Sequence, residues 1–245
     1  MATAILLFAA GIVGGAANAI AGGGTFFTFP ALMAAGLDPL TANVSNAVAI
    51  YPGHAAAVPA YRQELVRCRS DLLPRSLVAA AGGLAGALVL LWAGNRVFTS
   101  LVPWLLLAAT LIFAAGPLIG QARARLRSSS AVPARMVEFL FAVYGGYFGA
   151  GLGVLMMAAL SIVGVRDVQV ANAQKNLLAT IITTISVATF IVAGVVAWPH
   201  TLTVLAGAAI GGYLGARTAR HIPAPALRLV VVATGLSLSL YYFLV

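Results

Sequence analysis

Long apolar runs dominate the chain, and the few polar positions fall between or inside them in an order that occurs twice. Apolar segments cover about 3–20, 25–35, 39–61, 75–92 and 97–119, then about 136–149, 154–164, 168–196, 202–216 and 224–244. Runs this continuous predict helices, because barrel strands would alternate polar and apolar positions. The first two segments of each half are separated only by glycines, Gly22-Gly23-Gly24 in one and Gly149-Ala150-Gly151-Leu152-Gly153 in the other. After each pair comes an aspartate, Asp38 or Asp167, at a predicted helix N-cap, with Pro39 following Asp38 at the first helical position.

The halves are copies. Ala21-Gly22-Gly23-Gly24-Thr25, Asp38 and Ala42-Asn43 match Ala150-Gly151-Leu152-Gly153-Val154, Asp167 and Ala171-Asn172, at an offset of 150 − 21 = 129 residues with no net gap. The same offset carries Gly82-Gly83-Leu84-Ala85-Gly86-Ala87 onto Gly211-Gly212-Tyr213-Leu214-Gly215-Ala216. Two homologous halves with glycine-interrupted apolar stretches point to a secondary transporter whose site lies where the halves meet. The expected division is a first repeat over 1–120, a basic linker over 121–135 and a second repeat over 136–245.

Composition settles the class. The chain has 245 residues, 62% hydrophobic and 8% charged, with a mean hydropathy of +1.02. Soluble domains carry about 25% charged residues, so this is read as an all-α integral membrane protein. The first segment lacks a basic leader and is read as part of the fold. The net charge of +9 would suggest nucleic acid in a soluble protein. Here the arginines are read as loop anchors facing the cytoplasm, with the lipid bilayer as partner and no nucleic acid expected. The lone Cys68 has no internal disulfide partner.

Charge also selects a topology. Stretches 3–35 and 136–164 are each either one long broken span or a re-entrant hairpin of two half-helices. As full spans they would leave Arg96, Arg166, Arg217, Arg220 and Arg228 at the outer face. As hairpins they invert the second half and bring every arginine but Arg96 inside. The expected fold is therefore an inverted repeat, each half a re-entrant broken-helix hairpin plus three transmembrane helices. Both termini face outside the inner (plasma) membrane, and a short outer loop lies at Trp198-Pro199-His200.

Backbone broken at membrane depth is tolerated where it is buried or lines a cavity. Half-helices starting near Thr25 and Val154 would direct free N–H groups and positive dipole ends at the membrane centre, a site for anions. The polar side chains inside spans cluster at matching places: Asn43, Ser45 and Asn46 after Asp38, and Asn172, Gln174, Lys175 and Asn176 after Asp167. Asn46 matches Lys175, a charged residue within a span and so a functional candidate. The candidate substrate contacts are Gly22, Gly23, Gly24, Thr25, Asn43, Asn46, Gly151, Gly153, Asn172, Lys175 and Asn176. Small-xxx-small pairs at Gly11/Gly15, Gly82/Gly86, Gly145/Gly149 and Gly211/Gly215 are read as helix packing. With no acidic residue deep in a span, no metal or cofactor is expected. If protons are coupled to transport, the candidates are His54, the two capping aspartates and the substrate itself. The helix after Asp38 is expected to run to Tyr61, kinked at Pro52-Gly53.

The run Gly14-Gly15-Ala16-Ala17-Asn18-Ala19-Ile20-Ala21-Gly22-Gly23-Gly24-Thr25, with Pro30, Ala31-Leu32, Gly36-Leu37, Pro39 and Ala42-Asn43-Val44-Ser45-Asn46, resembles the TauE/SafE family of sulfite exporters. The run from Gly145 to Asn176 resembles that family's second repeat, so the resemblance covers essentially the whole chain. It implies transport of small sulfur-containing anions: sulfite, sulfonates such as sulfoacetate, or thiosulfate. Copy two has Leu152 and Val154 where copy one has Gly23 and Thr25, so the two hairpins are expected to contribute unequally. An anion channel and a carrier of other small organic anions stay open as alternatives. An enzyme is not expected, for want of H-E-x-x-H, G-x-S-x-G or a phosphate-binding loop and with Glu64 and Glu138 in or near loops.

Overall fold

The structure is a computed structural model that describes residues 1–21, 23–56, 58–123, 134–165, 167–218 and 224–244. Its helices are α1 (Ala2–Ala21), α2 (Thr25–Ala34), α3 (Pro39–Ala55), α4 (Arg62–Arg67), α5 (Arg69–Arg123), α6 (Ala134–Tyr147), α7 (Leu152–Ile162), α8 (Val168–Val192), α9 (Trp198–Thr218) and α10 (Ala224–Leu244). A 3-10 turn, Val58–Tyr61, joins α3 to α4. α5 is two helices folded at Gly94, whose φ of 70° and ψ of 177° leave the helical region. Its arms are therefore 69–93 and 95–123.

The repeat governs the architecture. The helices starting at 39, 69 and 95 have counterparts starting at 168, 198 and 224, each 129 residues on. Both N-cap aspartates act as expected. Asp38 Oδ1 accepts from the Thr41 N–H at 3.0 Å, and Asp167 Oδ1 accepts from Gln169 at 2.7 Å and Val170 at 3.1 Å. α2 and α7 end alike. In α2 the Leu37 N–H reaches Leu32 across Gly36 (φ 95°), and in α7 the Val165 N–H reaches Leu160 across Gly164 (φ 88°). This is the Schellman closure, in which glycine takes the left-handed position that an L side chain resists.

The halves interlock by exchanging helices. α1 lies parallel to α9, with Gly11 against Val204 and Gly207, Gly15 against Ala208, and Gly215 against Ala16. The first arm of α5 lies parallel to α6 in the same manner, with Gly82 against Phe139 and Ala142, and Gly86 against Val143 and Gly146. Each contact thus recurs with the halves swapped, as a two-fold relation requires. The equivalent helices α3 and α8 run in opposite directions. Ser45 accepts from the Ala197 N–H, beyond the C-terminal end of α8, while Tyr51, further along α3, accepts from Thr184, further back in α8. Aromatic rings from both halves fill the centre: Phe29 meets Phe148 edge-on at 5.7 Å, Phe98 meets Phe148 at 6.2 Å, and Phe26 meets Phe113 at 6.0 Å.

By length and composition, three described stretches can cross a bilayer: 2–20, 69–115 and 168–192. Large apolar side chains such as Leu77, Leu88, Val89 and Leu240 are exposed on the bundle surface, which suits a lipid environment. α1 has 20 residues, about 30 Å at 1.5 Å per residue, longer than the half-helix expected of a re-entrant arm. α2 nevertheless folds back on it, placing Gly24 and Thr28 beside Gly14.

Several boundaries differ from expectation. α3 ends at Ala55 and does not reach Tyr61. Pro52 removes an N–H from the ladder and Gly53 weakens the next turn. α8 has Ile181 and Ile182 at the equivalent positions and continues to Val192. The basic stretch 62–75, whose arginines read as loop anchors, is mostly helical. Trp198-Pro199-His200 opens α9, since proline suits the first turn of a helix, so the connection from α8 is 193–197. Of the linker expected over 121–135, residues 124–133 lie outside the described residues, as do Gly22 and Arg166.

Glu138 is the largest departure. It belongs to the buried face of α6, 4% exposed. Arg75 Nη1 donates to its Oε1 at 2.5 Å and Arg135 Nη1 to its Oε2 at 3.0 Å. Arg75, expected as a loop anchor, is itself 7% exposed and also faces Asp71 at 3.6 Å. This cluster ties the first arm of α5 to the start of α6, across the two halves.

Candidate functional site

The two glycine turns are built differently. In the first, Gly24 is helical (φ −58°, ψ −40°) and provides no side-chain cap to α2. A brace comes from α3 instead. The Asn46 amide donates to Thr25 Oγ1 at 3.3 Å, and its carbonyl meets the Thr28 hydroxyl, which also reaches the Gly24 carbonyl at 3.1 Å. Asn46 is 2% exposed, so these bonds are shielded from competing solvent. The second turn uses left-handed backbone at Gly149 (φ 75°) and Gly151 (φ 71°), and the Tyr144 hydroxyl holds it by donating to the Ala150 carbonyl at 2.7 Å.

Asn43 connects the halves. Its Nδ2 donates to the Tyr147 carbonyl at 3.0 Å, on the last turn of α6 before the second glycine turn. Around this bond lies a small, partly open pocket. The first half contributes Thr25, Asn43, Asn46, Ala47, Ile50 and His54; the second contributes the stretch Gly145–Gly149 with Thr183, Ser186 and Phe190. Among the described residues the lining contains no Lys, Arg, Asp or Glu, and its titratable groups are His54 and Tyr147. It offers hydroxyls, amides and a ring nitrogen to a small polar guest.

Of the candidate substrate contacts, Thr25, Asn43 and Asn46 come together here, with the proton-coupling candidate His54; the other described ones lie elsewhere. Gly23 backs onto Val231 and Phe113, and Gly24 onto the Gly14 carbonyl and Asn18, so both serve close packing. Gly151 lies 3.6 Å (by an added Cβ) from the Ala109 carbonyl. Gly153 faces the Lys175 stem at 3.9 Å, and Asn172, Lys175 and Asn176 are half-buried on α8. Among the described residues Lys175 forms no ion pair. Under the repeat, Asn172 and Lys175 are the counterparts of Asn43 and Asn46, so the molecule holds two equivalent polar clusters and the pocket encloses the first.

Sequence reasoning missed Tyr147, Thr183 and Ser186. A signal existed for one of them: Thr183 is the 129-residue counterpart of His54, and the pocket brings these two together across the antiparallel α3 and α8. Asn46→Leu is expected to leave the buried Thr25 hydroxyl without its protein partner, at about 1–3 kcal/mol, while Thr28 keeps the Gly24 carbonyl. Thermal unfolding in detergent checks this; an unchanged midpoint would show that α2 does not need the brace from α3.

The sequence profile described as Sulfite exporter TauE/SafE matches residues 7–242. The chain belongs to the TauE/SafE family. It is a membrane transporter of that family, and its apolar helices accord with a membrane location. The chain is 28% identical over 234 residues to "Probable membrane transporter protein ORF9" of a Sinorhizobium species, covering 96% of this chain and 90% of that one. It is 29% identical over 220 residues to a "Probable membrane transporter protein" of Haemophilus influenzae, covering 86% and 83%. It is 26% identical over 239 residues to "Probable membrane transporter protein YfcA" of Escherichia coli K12, covering 97% and 89%. No solved structure matches it. These relatives are described as transporters and not as enzymes, in line with the expectation of a non-enzyme.

Proposed function

We propose that this TauE/SafE transporter is a secondary carrier that moves small sulfur-containing anions, such as sulfite, a sulfonate or thiosulfate, by alternating access around the pocket between its halves. The observation that carries the reading is the pocket's composition: α2 and α3 of one half face the glycine turn of the other, joined by the Asn43 bond to Tyr147. A site at the interface of repeats is where rocking of one half against the other exposes the substrate alternately to each side. The opposed directions of α3 and α8 support inverted topology. The distribution of arginines supports basic connections inside and both termini outside the plasma membrane. The family description supports sulfur.

Lys175 serves the carrier as the cation of the second polar cluster, drawing the anion toward Asn172, Asn176 and the Gly153 turn. An unpaired ammonium in a span is costly unless a function holds it. Lys175→Ala is expected to reduce anion uptake at least tenfold while the protein still purifies as a folded species. Unchanged uptake would exclude Lys175 from the transport path.

The test of function is uptake of radiolabelled sulfite into proteoliposomes, with and without a proton gradient, competed by sulfate, thiosulfate, sulfoacetate and lactate. Saturable uptake competed by the sulfur anions is the expected result, and acceleration by the gradient would establish proton coupling. Saturable uptake competed by lactate alone would move the substrate class to carboxylates. Flux that does not saturate would identify a channel.

A further inference from the structure

We infer that the pocket prefers an anion carrying its own hydrogen-bond donor, and that Asn43 Oδ1 is the atom that reads that donor. The inference rests on the pocket being the substrate site proposed above.

The argument begins with the orientation of the Asn43 amide. A backbone carbonyl can only accept, so the group 3.0 Å from the Tyr147 carbonyl must be the Asn43 NH₂. That fixes the side chain's remaining polar atom as an acceptor. Asn43 is 2% exposed, and no protein donor reaches its Oδ1 among the described residues. A buried acceptor without a partner is costly and is rare in folded proteins unless function requires it. Asn43 lines the pocket, so a guest can supply the missing donor.

The other lining groups define the rest of the guest. Thr25 Oγ1 already accepts from Asn46, which leaves the Thr25 hydroxyl proton to donate. An anion with an O–H satisfies both walls, accepting from Thr25 and donating to Asn43. An anion without a donor meets Asn43 Oδ1 oxygen to oxygen and leaves it unpaired. Asn46 is identically buried, but both its amide atoms are spent on Thr25 and Thr28, so it holds the wall in shape and leaves the reading to Asn43.

The test uses the whole protein in proteoliposomes and ranks competitors of sulfite uptake in matched pairs differing by one hydroxyl: 2-hydroxyethanesulfonate against ethanesulfonate, and lactate against propionate. Binding of the same anions to the detergent-solubilised protein is measured in parallel by thermal stabilisation. The hydroxylated member of each pair is expected to bind at least tenfold more tightly, since its absence leaves the buried acceptor unpaired. Asn43→Leu is expected to bring each pair within twofold; the wild-type ranking decides the matter even if that variant fails to fold. Equal or tighter binding of ethanesulfonate would overturn the donor requirement while leaving the sulfur carrier standing. Preference for lactate over propionate without binding of any sulfur anion would uphold the requirement and overturn the sulfur assignment. Absence of binding by every one of these anions would overturn both.

Discussion

Glu138→Ala is expected to destabilise the protein by about 3–5 kcal/mol, the usual consequence of removing one member of a buried ion pair. The loss comes mainly from Arg75, which is 7% exposed and would keep its charge with only the exposed Asp71 nearby at 3.6 Å. Arg135 is 41% exposed and can turn to solvent, so its bond to Glu138 contributes far less. The double variant Arg75→Leu/Glu138→Leu is expected to recover much of the stability, because a buried pair replaced by apolar side chains leaves no orphaned charge. Unfolding midpoints of the three proteins in one detergent separate these effects. A Glu138→Ala protein as stable as its parent would mean that solvent reaches Arg75 and the cluster is no more than a surface network.

Gly82→Val and Gly211→Val, equivalent positions in the two repeats, are each expected to cost about 3 kcal/mol or more, the upper range for overpacking. The reason is backbone proximity. A Cβ on Gly211 would fall on the Ile12 carbonyl oxygen, and one on Gly82 would lie 2.5 Å from Ala142 Cβ and 2.9 Å from the Phe139 carbonyl. Backbone inside a helix cannot rotate out of the way as a side chain can, so the helices must separate. Without a hydrophobic drive between helices in lipid, such close contact is a main source of cohesion. Gly53→Ala is the control: a Cβ there meets only the Asn18 amide, at an ordinary 3.5 Å. The two valine variants should lose most of their monodisperse material on size exclusion while Gly53→Ala keeps it. Equal recovery of all three would show that the α1–α9 and α5–α6 contacts are looser than their glycines require.

The local features of this fold were legible in the chain because they depend on neighbours in sequence. Asp38 and Asp167 cap helices since the N–H groups they accept from lie two and three residues ahead. The apolar runs mark the helices, Gly94 falls between two of them, and the 129-residue offset recurs in the helix starts 39 and 168, 69 and 198, 95 and 224. The end of α3 departs from the apolar run because Pro52 takes an N–H from the ladder and Gly53 weakens the next turn, so the helix stops at Ala55.

What the tertiary structure decided is partnership. In the sequence Asn43 is one of several polar residues after its cap, while Lys175, matched to Asn46, stands out as the charge within a span. Only the packing of α6 against the first half presents a carbonyl to Asn43 and encloses it in a pocket, while Lys175 lies along Gly153 with no counter-charge among the described residues. Glu138 read as a loop carboxylate because its partner, Arg75, is 63 residues away. Hydropathy and spacing report which residues a helix must bury; they carry no information about which distant helix supplies the donor or the charge that makes the burial tolerable.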